Sequence, residues 1–347
     1  MSEEQQKKTP WKLIINVVTF LALAGLFYVT RDQIGETVSN VGNLKKFALF
    51  LMVPAQILNY HAYSQMYQDL FYILNKRIRY LKMFRVQLEL NFVNTVFPSG
   101  GVTGVSYFGV RMKSMGVSGG QSTLVQFMKY ILVFISFQIL LAAGLIILAI
   151  GGQASNLAIL VAGSLATLLF IGSFIGAYIL GSKQRINSFF TFLTNILNRL
   201  IHVFRRRHPE TISVQTVQDL FTDLHENYML IRKNPKVLKR PLVSALLANI
   251  AEIITIYIVY IAFAQWVNPG AVIIAYAVAN FAGVISVFPG GVGVYEFLMT
   301  GVLASAGVPA GVSLPITITY RIINMTIQLP PGYYFYHKAI HDKNYNQ

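Results

Sequence analysis

The sequence predicts an all-α polytopic membrane protein with six full spans and two re-entrant helical hairpins, arranged as an inverted-topology repeat. Hydrophobic residues make up 54% of the chain and charged residues 12%, whereas soluble domains carry about 25% charged residues. Several apolar runs reach the roughly 20 residues that a helix needs to cross a bilayer. In addition, a proline-glycine motif that interrupts an apolar run occurs twice, which favours a bundle with two broken segments.

The six predicted spans cover most of the apolar sequence. In chain order they are residues 13–29, 47–63, 130–150, 157–180, 242–266 and 313–336. The first run follows three lysines and ends without a small-residue cleavage site, so we interpret it as an uncleaved span. An even number of spans places both termini on the same side of the membrane.

Basic residues cluster between the spans and account for most of the net charge of +15. The clusters lie at residues 76–85, 183–207 and 232–240. The positive-inside rule assigns these clusters, and with them both termini, to the cytoplasmic side of the cell membrane. Because this placement brings the clusters close to anionic headgroups, we expect no nucleic-acid partner.

Two segments are apolar, but each of their arms is too short to span, so we predict that they are re-entrant hairpins. The first covers residues 86–120, has its tip at 98–101 and enters from the cytoplasmic side. The second covers residues 271–306, has its tip at 289–293 and enters from the outside.

The chain is predicted to form a single integral membrane domain over residues 1–347. Its first repeat, residues 31–150, contains a span, a hairpin and a span, and residues 241–340 contain the same order. Residues 181–240 between the repeats have apolar residues at helical spacing over a basic face, which is typical of a cytoplasmic amphipathic connector.

The two hairpins share their spacing as well as their motif. VFPSGG begins at residue 96 and VFPGG at residue 287, an offset of 191, and Gly116 and Gly307 each follow their proline by 18 residues. Paired broken hairpins that enter from opposite faces are typical of inverted-repeat transporters. Irregular backbone at membrane depth is tolerated only where it is buried in protein or lines a wet cavity. We therefore expect the tips to meet near the midplane and to form a binding cavity.

Polar residues at the depth of the tips are the candidate substrate-binding residues, because intramembrane charge is costly unless it is paired or functional. The set is Asn91, Asn94, Pro98, Ser99, Gly100, Gly101, Lys129, Glu252, Asn280, Pro289, Gly290, Gly291, Gly293, Glu296, Tyr320, Arg321 and Asn324. An alternative is that some of these charges form internal salt bridges that lock the hairpins, for example Glu296 with Arg321. The sequence leaves both roles open.

No catalytic or cofactor motif accompanies these residues. The chain has no cysteine, which excludes thiol catalysis and cysteine metal sites. Neither a phosphate-binding P-loop nor an H-E-x-x-H zinc motif occurs. His337 and His341 stand at i, i+4 but lack a third ligand. We therefore expect no enzyme activity, no cofactor and no metal.

Three motifs carry a family resemblance: PGGVGVYE at residues 289–296, the pair Tyr320 and Arg321, and NTVFPSGG at residues 94–101. They resemble the flippase-like transmembrane region of bacterial lysylphosphatidylglycerol synthases and their stand-alone relatives. The resemblance implies movement of aminoacylated or glycosylated lipids, or of a polyprenyl-linked precursor, between leaflets. The family's acidic-plus-arginine pair after the first hairpin is here Met128 and Lys129. The synthases' soluble aminoacyl-transfer domain is absent from this sequence, so lipid synthesis is not expected.

The leading hypothesis is a lipid flippase or translocase, whose substrate headgroup enters the cavity while the lipid tails stay in the bilayer. Phosphate would contact the tip N–H groups, Arg321 and Lys129. Glu252 and Glu296 would hold a cationic substituent or a coupling proton. The expected partners are membrane lipids, anionic or polyprenyl-linked. One alternative is an accessory protein of a glycosyltransferase or another lipid-modifying enzyme, and a second is a secondary transporter of a small anion.

Overall fold

A computed structural model describes residues 45–97, 102–152, 155–188, 191, 225–229, 231–285 and 291–341, together with isolated positions between residues 21 and 35. These residues are mostly helical, and no strand occurs among them. Most of the predicted first span, most of the predicted connector and most of the two predicted tips lie outside this described part of the chain.

The described chain is mostly a series of helices, and residues 181–238, of which only part is described, lie between the sixth and the seventh of those named below. Its helices are α1 Lys46–Phe50, α2 Met52–Ile73, α3 Tyr80–Val96, α4 Val102–Lys113, α5 Gly119–Ile150, α6 Asn156–Leu180, α7 Lys239–Ala262, α8 Pro269–Ile285, α9 Val294–Ser305 and α10 Ala310–His341. One 3₁₀ turn, Pro235–Leu238, leads into α7. Ser118 begins α5 with a capping box, because its Oγ accepts from Gln121 N at 3.2 Å and its own N–H donates to Gln121 Oε1 at 3.4 Å.

Three described helical stretches are long and apolar enough to cross a membrane: Gly119–Ile150, Ile159–Leu180 and Pro235–Ala262. They correspond to the predicted spans 130–150, 157–180 and 242–266. The predicted spans 47–63 and 313–336 fall mainly in α2 and in α10, which are helical but less apolar. The polar residues of α2 and α10 turn out to be part of the candidate site.

Both predicted hairpin segments contain two helices with an interruption between them. The first pair, α3 and α4, has 17 and 12 residues, and the second pair, α8 and α9, has the same two lengths. The first helix of the first pair begins at Tyr80, earlier than the predicted start at residue 86. The long helices that follow, α5 and α10, each have 32 residues. We call α2–α5 the first half of the chain and α7–α10 the second half. In both halves a 17-residue helix, a 12-residue helix and a 32-residue helix follow one another in the same order.

The two halves pack through an exchange of partners: the first hairpin helix of each half contacts the long helix of the other half. Helix α2 lies along α7, whereas α3 of the first half packs against α10 of the second, and α8 of the second half packs against α5 of the first. Gly332 of α10 sits where α3 comes closest. A Cβ atom there would lie 2.7 Å from Phe92 Cβ and 2.8 Å from the carbonyl oxygen of Leu88. Glycine is therefore what permits this approach.

A small apolar cluster joins the regions of the two interruptions. Val96 ends α3, and Val292 lies just before α9, yet both belong to one packed group with Met325 of α10. The other buried members are Phe92, Val93 and Tyr336. The chain segments that flank the two interruptions therefore occupy the same part of the bundle.

Candidate functional site

The carboxyl group of Glu252 in α7 accepts hydrogen bonds from two neighbouring helices. Gln56 Nε2 of α2 donates to Oε2 at 3.0 Å. From α10, Asn324 Nδ2 donates to Oε1 at 2.9 Å, and the Tyr320 hydroxyl donates to the same oxygen. Glu252 therefore lies at a junction to which both halves of the chain contribute.

Among the described residues, Glu252 has no cation within salt-bridge distance, unlike Glu89 and Glu296, which both pair with arginine. Its side chain stays partly exposed in spite of its contacts. Three neutral donors replace part of the lost hydration of a carboxylate, but they do not neutralise its charge. A carboxyl group in this setting can take a cationic group or a proton.

Lys129 of α5 is a cation surrounded by tyrosine rings. Its Nζ lies 5.6 Å from the ring centre of Tyr63, 5.7 Å from that of Tyr67 and 5.1 Å from that of Tyr130. Such cation–π contacts stabilise an ammonium group by about 0.5–2 kcal/mol each. No carboxylate of the described chain lies within salt-bridge distance of Lys129. The ammonium group is thus available to an anionic ligand.

Tyr63 connects these two charged residues. Its ring faces Lys129, and its hydroxyl lies within electrostatic range of Glu252. We call this group the central polar cluster, and its members are Gln56, Tyr63, Lys129, Glu252, Tyr320 and Asn324. The cluster is built from α2, α5, α7 and α10, so it depends on the packing of one half against the other.

Glu296 and Arg321 form a buried ion pair next to the central polar cluster. Arg321 Nη1 lies 2.5 Å from Glu296 Oε1, and Glu296 Oε2 accepts the backbone N–H of Gly293 at 2.7 Å. Gly293 has a φ of +86°, in the left-handed region that favours glycine. Glu296 therefore caps α9 and ties its first turn to α10. The salt bridge that the sequence suggested is present.

Three neighbouring residues of α10 connect the two carboxyl groups: Tyr320 and Asn324 contact Glu252, and Arg321 contacts Glu296. Within the described chain, the buried Asn324 Oδ1 has no hydrogen-bond partner, and neither has the hydroxyl of the nearby Tyr60. Buried polar atoms nearly always have a partner. The site therefore has free capacity for a proton, a water molecule or a polar ligand.

The first hairpin region contains an ion pair that the sequence analysis did not select. Arg111 Nε of α4 lies 2.8 Å from Glu89 Oε2 of α3, and the Tyr107 hydroxyl donates to the same oxygen at 2.8 Å. The side chains of Glu89 and Arg111 are 0% and 6% exposed. This pair joins the two arms of the hairpin, which indicates a structural role.

The remaining predicted residues that the structure describes make no hydrogen bond to the central polar cluster. Asn91 accepts from Gln87 at 2.8 Å, Asn94 is exposed, and Asn280 donates to the carbonyl of Tyr276 in its own helix at 3.1 Å. Gly291 is buried at a φ of +68°. The other tip residues, Pro98, Ser99, Gly100, Gly101, Pro289 and Gly290, are outside the described residues.

The sequence analysis also missed the contribution of α2. Gln56 and Tyr63 belong to the central polar cluster, and Tyr67 faces Lys129 and donates to Gln126 at 3.3 Å. The available signal was the spacing of Tyr60, Tyr63 and Tyr67, since residues at i, i+3 and i+7 share one helix face. A groove along α6, lined by residues from Asn156 to Ile171, has no charged side chain and provides no comparable chemistry.

Comparison with known proteins places these features in a family. The family profile described as lysylphosphatidylglycerol synthase TM region matches residues 13–332. The chain belongs to this family. A UPF0104 membrane protein of Methanothermobacter thermautotrophicus is 31% identical over 130 residues, or 36% of this chain. The alignment spans 38% of that relative's length. With its apolar helices, this family member is a multi-pass membrane protein. The residues matched by the family profile include every member of the central polar cluster.

Proposed function

We propose that this protein is a lipid flippase or translocase, which moves an aminoacylated, glycosylated or polyprenyl-linked headgroup between the leaflets of the cell membrane. The observation that carries the proposal is the central polar cluster. Among the described residues, Lys129 has no carboxylate partner and Glu252 has no cationic partner. Unpaired charge within membrane helices is costly and is typical of substrate pathways. The family to which the chain belongs agrees with a lipid substrate.

The proposed topology has six full spans and two re-entrant hairpins that enter from opposite faces. The 17-residue and 12-residue helices of the hairpins support it, because at 1.5 Å per residue they extend about 26 Å and about 18 Å. Both lengths fall short of a hydrocarbon core of about 30 Å. The basic clusters support a cytoplasmic location for both termini and for the connector 181–240.

In this mechanism the headgroup enters beside the hairpin tips while the lipid tails remain in the bilayer. The phosphate contacts Lys129, whose ammonium has tyrosine rings as its described neighbours. Hydroxyl or amine substituents contact Glu252 and Tyr320. Arg321 contributes less to phosphate binding than the sequence suggested, because Glu296 already neutralises it. The ion pair instead holds the second hairpin against α10.

The test is lipid movement by the purified full-length protein in vesicles. Tail-labelled fluorescent analogues of phosphatidylglycerol, lysyl-phosphatidylglycerol, a glycolipid and a polyprenyl phosphate are each placed in the outer leaflet. An impermeant reductant destroys the fluorescence that stays in the outer leaflet, so protected fluorescence reports inward movement. We expect Lys129→Met to slow this movement about tenfold, equivalent to about 1.4 kcal/mol. Lys183→Met is the matched control, because Lys183 is half-exposed and makes a surface ion pair with Glu226, which contributes little.

Two outcomes would contradict the proposal. If the wild-type protein moves none of these four lipids faster than protein-free vesicles do, it is not a flippase for the proposed substrates by itself, and an accessory role becomes the better explanation. If it releases trapped inorganic phosphate but moves no lipid, a transporter of a small anion is supported instead.

A further inference from the structure

Glu252 and Lys129 are the two charged residues of the site that form no salt bridge within the described chain. Glu89 is paired with Arg111, and Glu296 with Arg321. When Glu252 is ionised, its charge offsets that of Lys129, and the central polar cluster is neutral overall. When Glu252 is protonated, the cluster has the single positive charge of Lys129. Because charges interact strongly where water is scarce, this difference of one charge alters the binding of an anion.

The hydrogen-bond partners of Glu252 suit both protonation states. In the ionised state Gln56, Tyr320 and Asn324 all donate to it. Asn324 Oδ1 has no partner in the described part of the chain. If the Asn324 amide turns over, this oxygen accepts the O–H of a protonated Glu252, since an amide offers both donors and an acceptor. The change requires rotation of one side chain.

No other carboxylate near Glu252 in the described chain is available to bind the proton, because Glu296 is paired with Arg321. Those within range of its charge are Tyr60 and Tyr63 of α2, Tyr276 of α8, Tyr295 of α9 and Tyr320 of α10. Lys129 faces the cluster from α5, and the Glu296–Arg321 pair lies between α9 and α10. Phenol groups ordinarily stay protonated at neutral pH, so these tyrosines do not take up the proton in place of Glu252, and Tyr320 donates a hydrogen bond to it.

We propose that Glu252 binds a proton together with an anionic headgroup, so that the proton and the headgroup cross the membrane as one unit. This inference rests on the proposed lipid transport. The proton passes from water on one side to a carboxylate oxygen of Glu252 and leaves to water on the other side, so one O–H bond forms and then breaks. For a phosphodiester with one negative charge, the headgroup and the proton together carry no net charge.

The first experiment measures protonation without transport. Infrared difference spectra of the purified protein, recorded between about pH 6 and 9, above the ordinary pKa range of exposed carboxyl groups, should show a carboxylic-acid C=O band that grows as the pH falls. We expect Glu252→Gln to remove this band and Glu252→Asp to retain it. Glu226→Gln, which changes an exposed carboxylate, is the control and should leave the band unchanged. If the band persists in Glu252→Gln at full size, the inference is wrong.

The second experiment measures transport of the fluorescent phosphatidylglycerol at different external pH. Inward movement by the wild-type protein should be about tenfold faster at pH ~5.5 than at pH ~7, a range in which the Lys129 ammonium stays largely protonated, because binding one proton changes occupancy by up to tenfold per pH unit. Glu252→Gln, which is neutral at every pH, should move lipid at one rate throughout, and Glu252→Asp should restore the pH dependence.

The two experiments separate the inference from the proposed function. If the wild-type protein moves no lipid at any pH, the proposed function fails, and proton-coupled transport fails with it, whatever the spectra show. If it moves lipid but Glu252→Gln keeps the wild-type pH dependence, the proposed function stands and the proton inference is overturned.

Discussion

Single residues of α10 decide which charges of the site are neutralised. Arg321 pairs with Glu296, whereas Tyr320, its neighbour in sequence, donates to Glu252 and adds no charge. One carboxylate is thereby fixed in a structural contact, and the other is left able to change its charge. The sequence suggested the Glu296–Arg321 pair as one alternative, but the residue types alone did not decide between pairing and ligand binding, because both glutamates lie in similar apolar sequence.

The Arg321–Glu296 pair gives a prediction for stability at this scale. Arg321→Met alone should lower the free energy of unfolding by about 3–5 kcal/mol, because it leaves a buried carboxylate without its partner. The double variant Arg321→Met with Glu296→Met should be less destabilised than this single variant, although it also loses the cap at Gly293, which is worth about 1 kcal/mol.

Unfolding in mixed micelles, followed by circular dichroism, measures both changes. A double variant as unstable as the sum of its two single variants would show that the charges act independently, and would contradict the assignment of the pair as one unit.

Much of the candidate site could be predicted from the sequence, for a physical reason. Charged or strongly polar residues are rare in membrane helices, so Lys129, Glu252 and Arg321 stand out without any structure. Tyrosine and glutamine are less conspicuous in an apolar run, and therefore Gln56 and Tyr63 were missed. Their contribution depends on which face of α2 meets α7, and that is a property of packing rather than of local sequence.

At the scale of helices, close approach between the two halves depends on single glycines. Gly332 allows α10 to contact α3, where any side chain would meet the backbone of Leu88 and the side chain of Phe92. The helix reaches this contact directly after Pro330 and Pro331, which lie inside α10. Proline weakens the hydrogen bonding of a helix interior, so its partner helix has to support this segment.

Gly332→Ala should lower the free energy of unfolding by about 1–3 kcal/mol, as expected for overpacking of a filled contact. Gly311→Ala on the same helix is the matched control, because no atom lies within 4 Å of a Cβ at Gly311. There the exchange should be neutral or should stabilise the helix by up to about 1 kcal/mol. Thermal unfolding in detergent compares the two, and equal midpoints would contradict the close approach of α3 and α10.

Helix bounds show what sequence patterns can and cannot predict. The apolar runs predicted α6 and the end of α5 well, since long uninterrupted hydrophobicity determines both, whereas α5 begins at Gly119, before the predicted span 130–150. The start of α3 was predicted several residues late, because Lys82 and Arg85 in its first turns interrupt the apolar pattern. A helix that emerges from the bilayer can continue through basic residues, and hydropathy alone does not show where it begins.

At the scale of the whole molecule, the exchange of packing partners relates the two halves. Each hairpin's first helix packs on the long helix of the opposite half, and α2 and α7 pack on each other. This arrangement places the central polar cluster where the halves meet. Any movement of one half relative to the other would therefore change the surroundings of Lys129 and Glu252, as the proposed transport requires.

The proposed opposite orientation of the halves predicts the sidedness of two equivalent positions. Lys113 ends α4, and Ala304 lies 191 residues later near the end of α9; both are exposed. Because the chain has no cysteine, Lys113→Cys and Ala304→Cys can be labelled individually. An impermeant maleimide should label Ala304→Cys in intact cells and Lys113→Cys only in inverted vesicles. Labelling of both from the same side would contradict the inverted repeat.

The exchange of partners also has a consequence for the ancestry of the chain. A half-length ancestor with this helix order could not have covered its own α3 counterpart, and would have needed a second copy to supply the long helix. Fusion of two such copies frees each from remaining identical to the other. If the two halves arose in this way, α5 could keep Lys129 without an ionic partner while α10 acquired Arg321, which is paired with Glu296. Two identical copies could not differ in this respect.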